Sequence, residues 1–403
     1  MPPPSRSGSQ DGSHDTANIL GRAGAALDAF WQRVTEGIEI QVLWTQFVAE
    51  ARASYSLYEH EVDWETLERE KRRTQRFFRT VSALFWAMVL KLSPARRVFF
   101  LLALFFGLLA LLSGRVAQPE KGTVVIGPPQ NFTFVLLALA GLLLLLALEL
   151  ADRVTMKRDL EIAREIQRWL VPEVPPQVPG VDIAFATRPA NTVGGDYYDA
   201  FLRDVDSNAS AGRRLLLVVA DVAGKSVPAA LLMATFQASL RALATARTPL
   251  AELVTGMNQY ACAHSLGGRR FTTAFFAEID PVTRTLDFIG AGHNAPILRR
   301  ASGSVERLEA ESLPLGIDPA ARYSCGATTL ASGDLFVAFT DGVIEAINAH
   351  DEDYGEPRLL EVLKKAPQES AQATLKRLMA DVEAFVGPTR QHDDITCLVL
   401  RVT

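Results

Sequence analysis

LLLVVADVAGKS, running from Leu215 to Ser226, decides how this chain is read. An unbroken apolar run ends in Asp221, and Val222, Ala223 and Gly224 follow. A short apolar run bounded by a turn signal reads as a buried strand. A helical pattern then begins near Val227. A strand that ends in an acid, followed by a Gly-containing turn and a helix, exposes the carboxylate and nearby backbone carbonyls together. LFVAFTDG (335–342) repeats the arrangement around Asp341. GGDYYD (194–199) sets Asp196 behind two glycines, which allow close backbone approach. QHDDIT (391–396) sets Asp393 and Asp394 just before the apolar run ITCLVL.

Any one of these acids has an ordinary explanation, because Asp beside Gly is common turn chemistry. Their joint occurrence carries the argument. Three of the four motifs contain no Lys or Arg, so gathered carboxylates would repel one another, and a cation relieves that repulsion. Carboxylates without Cys or His partners suit hard divalent ions such as Mg²⁺ or Mn²⁺. Two such ions about 3.5–4 Å apart activate a water and stabilise in-line displacement at phosphorus. No GxSxG element and no Cys-based phosphate loop is present. The pattern points to hydrolysis of a phosphate ester by metal-activated water.

Outward from these motifs, the region after Val181 is built of short β-rich runs: VDIAFATRP, FTTAFFAEID, TLDFIGAG, TTLASGDLFVAFTDG and ITCLVLRVT. DPVTRT after Ile279 and ASGS after Arg300 are hairpin signals, hence antiparallel pairing. Amphipathic helices are expected at about 227–247, 249–265, 357–366 and 369–386. Hairpins with helix pairs between them define an α+β layered domain.

Two further runs are wholly different. Val98–Leu112 is unbroken apolar sequence, and Phe132–Leu148 is interrupted only by Thr133. Both approach the roughly 20 residues that cross a bilayer. Lys91, Arg96 and Arg97 precede the first, and Arg153, Lys157 and Arg158 follow the second. The positive-inside rule then makes this a two-pass inner-membrane protein with both ends cytoplasmic. The expected organisation is a disordered stretch 1–18 without a cleavable signal peptide, a helical juxtamembrane region 19–96, spans 97–114 and 132–150, a helical linker 151–175 and a catalytic domain 176–403. Residues 19–96 read either as juxtamembrane helices or as a small sensor. In the linker, Leu160, Ala163, Ile166 and Leu170 recur at helical spacing and Pro172 ends the run. It can transmit a signal or support a homodimer, or be a solvated linker with one packed face. Net charge is -5, so no basic field recruits nucleic acid. Cys262, Cys325 and Cys397 show no metal or disulfide spacing and read as small buried apolar side chains in a reducing compartment.

From about residue 160 to 403 the motifs EIQRWLVPEVPP, RPANTVGGDYYDAF, VADVAGKSVPAALLMA, FTTAFFAEID, AGHNAPILR, LPLGI, FTDGVIEAIN, YGEPRL and HDDITCLVLRV occur in order. Together they resemble the PPM metal-dependent serine/threonine protein phosphatases, in the bacterial SpoIIE/RsbU branch related to type 2C phosphatases. The resemblance implies a two-layer antiparallel β-sandwich flanked by helices, with two Mn²⁺ or Mg²⁺ ions at one edge. It implies that Asp221 bridges both ions, that the Val222 carbonyl serves one, and that Asp341 and Asp393 complete the second. Asp196 would bind directly or through water, and Asp394 is the alternative ligand to Asp393. The implied substrate is a phosphoserine or phosphothreonine protein, typically a STAS-domain anti-sigma-factor antagonist.

Many relatives carry Gly where this chain has Ser226, and Ser is expected to cap the helix that follows. His293 reads as a turn histidine or a general acid, Lys225 as a turn lysine or a phosphate contact, and Thr340 and Thr272 as strand residues. Arg188 is the basic residue upstream of Asp196. Two other functions compete: a degenerate phosphatase fold that only binds a partner, and a nucleotide cyclase, because GGDYY faintly resembles GGDEF. Tyr197 and the later acidic motifs weigh against the cyclase.

Overall fold

Alternation along Arg213–Val222 divides the domain into layers. In this computed structural model Leu215, Leu217 and Val219 enter one apolar core, while Leu216, Val218 and Ala220 enter another. Such a strand is buried on both faces, which explains its unbroken apolar run. The structure describes residues 92–113, 131–204, 213–244, 248–264, 270–310 and 312–403, with Trp86 and Val89. The expectations for 1–18, most of 19–96 and the loop 114–130 lie outside them.

The chain divides into two units, residues 1–150 and 151–403. In the first, α1 (Pro94–Ser113) and the opening half of α2 (Phe132–Leu170) lie side by side. Ala103, Ala110 and Ala138 are buried. A Cβ on Gly141 would sit 3.1 Å from that of Ala103, and Phe106 stacks on Phe134 at 6.4 Å. Small residues at such a contact let helices approach closely. The outward leucines and phenylalanines are exposed. Both helices are long and apolar enough to cross a membrane. The linker is helical as far as Leu170, continuous with α2.

The second unit holds two five-stranded antiparallel sheets. The strands are β1 (Val181–Arg188), β2 (Tyr197–Asp204), β3 (Arg213–Val222), β4 (Thr272–Ile279), β5 (Thr285–Ala291), β6 (Ile297–Arg299), β7 (Val305–Arg307), β8 (Gly326–Thr329), β9 (Leu335–Phe339) and β10 (Ile395–Val402). One sheet has the order β1-β10-β9-β6-β7 and the other β2-β3-β4-β5-β8. The expected hairpins are β4–β5 and β6–β7. The helices are α3 (Ser226–Leu243), α4 (Leu250–His264), α5 (Asp341–Ile344), α6 (Gly355–Lys365) and α7 (Ala371–Val386).

Three cores stack through the unit. Phe275, Phe336, Leu398 and Leu400 pack between the sheets. Met233, Leu240, Leu253 and Met257 bring α3 and α4 onto the β3 sheet. Leu359, Leu363, Leu375 and Leu378 bring α6 and α7 onto the β10 sheet. The result is the expected sandwich of two antiparallel sheets flanked by helices.

One strand is unannounced in the sequence, and two expectations need correction. Tyr197–Asp204 is a full strand, because Asp199, fully buried, is satisfied by the Arg241 guanidinium, the Tyr197 hydroxyl and the Ala200 amide. Of the cysteines only Cys397 is buried; Cys325 is exposed. Ser226 does not cap α3. Its φ is 61°, Lys225 precedes the helix, and no side-chain cap bond forms. The left-handed backbone at this position is why glycine suits it.

Candidate active site

Strand register brings the acids together. Tyr197 pairs with Ala220 across β2 and β3, which sets Asp196 beside Asp221 at the end of that sheet. Asp341 follows β9 and Asp393 precedes β10, and Cys397 pairs with Phe339. Those two acids therefore leave neighbouring strands of the other sheet at the same end.

Glycines permit the two ends to touch. A Cβ on Gly194 would fall 2.4 Å from Asp394 Oδ2, one on Gly195 2.9 Å from the Val222 carbonyl, and one on Gly342 2.0 Å from the Asp394 carbonyl. No real Cβ fits at such distances.

Asp393 and Asp394 have different surroundings. Asp394 is buried; its Oδ1 accepts the Ala190 N–H at 2.7 Å and its Oδ2 the Gly195 N–H at 2.6 Å. It ties one sheet end to the other. Asp393 is half-exposed; its Oδ1 accepts the Asp394 N–H at 2.9 Å and its Oδ2 lies 3.1 Å from Lys225 Nζ. Lys225 Nζ also donates to the His392 carbonyl at 3.0 Å.

The electrostatics are those of crowded carboxylates. Burial, then Asp221, holds the Asp196 carboxyl well above its usual range. Burial, then Asp341, Asp393 and Asp394, raises Asp221 to about 7. Burial, then Asp393, raises Asp341. Burial, then Asp341, also raises Glu345. Desolvation and like charge both disfavour ionisation, and a cation reverses both.

Several residues for which the sequence suggests no such role organise these acids, among them Thr340, which lies just beyond β9 and not in a strand. Thr340 Oγ1 donates to Asp196 Oδ2 at 2.8 Å and accepts the Thr396 N–H at 3.0 Å. Gln391 Nε2 donates to the Arg188 and Asp393 carbonyls, both at 2.6 Å. Gln391 Oε1 accepts Arg188 Nε at 2.7 Å, so Arg188 braces the Asp393 loop. Gln167 Nε2 donates to the Gly194 carbonyl at 2.7 Å, and Gly194 N–H donates to Gln167 Oε1 at 3.2 Å. A cavity of about 120 Å³ lies here, lined by Arg164, Gln167, Arg168, Asp196 and Asp394. No sequence signal marks these partners; apart from the Gln391 bond to Asp393, two residues on, they lie 27 to 203 residues from what they hold. His293 Nδ1 contacts Thr273 Oγ1 at 2.9 Å, and burial lowers the ring to about 4, so at neutral pH it is uncharged.

Among the described residues no three acidic, His or Cys side chains already form a closed cation cage. The donors available at this edge are nonetheless all oxygen, namely Asp221, Asp341, Asp393 and the Val222 carbonyl. Their mutual repulsion is the kind a hard divalent ion removes. The residues fit such ions.

The fold has known counterparts. The SiaA-PP2C domain of Pseudomonas aeruginosa superposes with a TM-score of 0.55 at 23% identity, over 63% of this chain and 99% of that one. The sandwich is thus the PP2C phosphatase fold. Residues 211–403 match the family described as stage II sporulation protein E (SpoIIE). Residues 211–403 thus resemble the SpoIIE family, set within a PP2C-like fold. Phosphoserine phosphatase RsbU of Bacillus subtilis is 28% identical over 247 residues, 61% of this chain and 70% of RsbU. Protein IcfG of Synechocystis is 27% identical over 285 residues, 64% of this chain. The match spans only 43% of IcfG.

Proposed function

We propose that this chain is a membrane-tethered, metal-dependent phosphoserine/phosphothreonine protein phosphatase. The observation that carries the reading is the meeting of Asp196 and Asp221 from one sheet with Asp341 and Asp393 from the other. Asp221, Asp341, Asp393 and the Val222 carbonyl are the residues to hold two Mn²⁺ or Mg²⁺ ions. Such ions, when bound, lower the pKa of a water and neutralise charge on phosphorus. Asp196, held by Thr340, directs an oxygen toward Asp221 and orients what binds there. Asp394 keeps the two sheet ends at fixed separation. The water oxygen bonds to phosphorus as the bond from phosphorus to the seryl oxygen breaks, and a proton of that water ends on the seryl oxygen, giving inorganic phosphate and an unmodified seryl residue.

The SpoIIE match and the likeness to RsbU support a phosphorylated regulator as substrate, of the STAS-type anti-sigma-factor antagonist class. The two apolar helices support placement in the inner membrane with both ends cytoplasmic. Ile162, Ile166 and Trp169 are exposed along one face of the linker helix, at i, i+4 and i+7, which supports a homodimer through that helix.

The test uses the full chain in detergent micelles with a phosphoserine peptide and Mn²⁺. Inorganic phosphate release is expected, and chelation or Asp221→Asn should abolish it. Release that persists in D221N would overturn the site. Peptide binding without release would instead indicate a partner-binding protein.

A further inference from the structure

Lys225 is ion-paired with one of the site acids, and its setting is unusual. Gly224 has φ 120° and Ser226 φ 61°, so the turn that roots Lys225 has a backbone L side chains rarely adopt. The Ala223 N–H donates to the Phe271 carbonyl at 3.0 Å and pins the same turn. Beyond this fixed root, the side chain is 61% exposed and its ammonium lies 3.1 Å from Asp393 Oδ2. An exposed pair of this kind is weak and readily exchanged. Arg188, which braces the Asp393 loop, is engaged with Gln391 and Glu383.

We propose that Lys225 is the phosphate-binding cation of this site. Its ammonium rests on Asp393 in the chain free of metal ions and transfers to the phosphoryl oxygens once divalent ions occupy the carboxylates. The inference rests on the phosphatase reading above. Three arguments support it. Divalent ions beside Asp393 repel the ammonium and take its charged partner, leaving it only the neutral His392 carbonyl. The flexible four-carbon stem lets the head swing while the root stays fixed. A phosphate entering between carboxylates needs positive charge on its solvent side, and a charge-assisted hydrogen bond supplies it.

Calorimetry on the full chain in detergent micelles tests this without depending on turnover. Two titrations are made on wild type, Lys225→Gln and Lys225→Arg: Mn²⁺ into the metal-free chain, and inorganic phosphate into the Mn²⁺-loaded chain. In K225Q phosphate should bind about tenfold more weakly. Mn²⁺ should bind about two- to fivefold more tightly, because no ammonium has to be displaced. K225R should restore most of the phosphate affinity. An unchanged phosphate affinity in K225Q overturns the proposal, and so does an unchanged Mn²⁺ affinity. Should the wild type release no phosphate from any peptide, the phosphatase reading fails, and these titrations still decide the role of Lys225.

Discussion

Gln167 and Gly194 exchange two hydrogen bonds, the side-chain amide donating to the glycine carbonyl and accepting its N–H. Gly194 is two residues before Asp196 and lies against the Asp394 carboxylate. One helical side chain therefore holds the backbone that carries a site acid. Gln167→Ala should cost about 1–2 kcal/mol in urea unfolding of the domain, since two part-buried backbone groups lose partners. Phosphate release should fall about 10–100-fold, as for other groups that orient ligands indirectly. Gln167→Glu keeps the acceptor and loses the donor, so it should fall between.

Thr340 makes an equally specific prediction. Thr340→Val removes the donor to Asp196 and strands the Thr396 N–H. Stability should drop by about 1–3 kcal/mol. Thr340→Ser keeps the hydroxyl and should retain both fold and activity. Denaturant midpoints and phosphate-release rates for the pair separate the hydroxyl from the methyl.

Ser226 sits at φ 61° without a capping bond. Ser226→Gly should stabilise the domain by about 1 kcal/mol, because left-handed backbone costs a Cβ-bearing residue about that much. For a unit of this size the shift in Tm should be about 2–4 °C upward. A lower Tm would show that the hydroxyl holds something in solution.

The raised Asp221 carboxyl sets a pH dependence. Its folded pKa of about 7 exceeds the ordinary 3.8, so the folded metal-free chain binds more protons than the unfolded one between those values. Stability should therefore fall as pH rises from about 4 to about 7, and level off above. Mn²⁺ favours the ionised form, so adding it should flatten or reverse that slope and release protons. Thermal melts at pH 5, 6, 7 and 8, with and without Mn²⁺, measure both effects.

Much of this was legible in the chain. Asp221 and Asp341 stand out because each closes a run buried on both faces, and the run LLLVVA has no other reading. The helices came within a few residues because their apolar faces repeat at helical spacing. β2 was hidden, because Asp199 and Arg203 break its apolar pattern and only the distant partners Arg241 and Glu278 make them tolerable inside. Gln167, Thr340 and Gln391 were hidden for a related reason. Each acts on a backbone or carboxylate group remote in sequence, and a polar residue on a helix or in a loop carries no mark of that. Ser226 misled because its composition suits a cap while its dihedral does not.

The contact between Asp394 and the Gly194–Gly195 loop has a consequence for how the enzyme comes into being. The carboxylate that joins the two sheet ends is followed directly by β10, which lies between β1 and β9. During synthesis the loop bearing Asp196 is made some two hundred residues earlier, yet it has no Asp394 to close on until Ile395–Val402 leaves the ribosome and inserts. A chain stopped short of β10 therefore has nothing to hold the Gly194–Gly195 loop against the other sheet end, and the acids on the two sheets are brought to face each other only when synthesis is almost done.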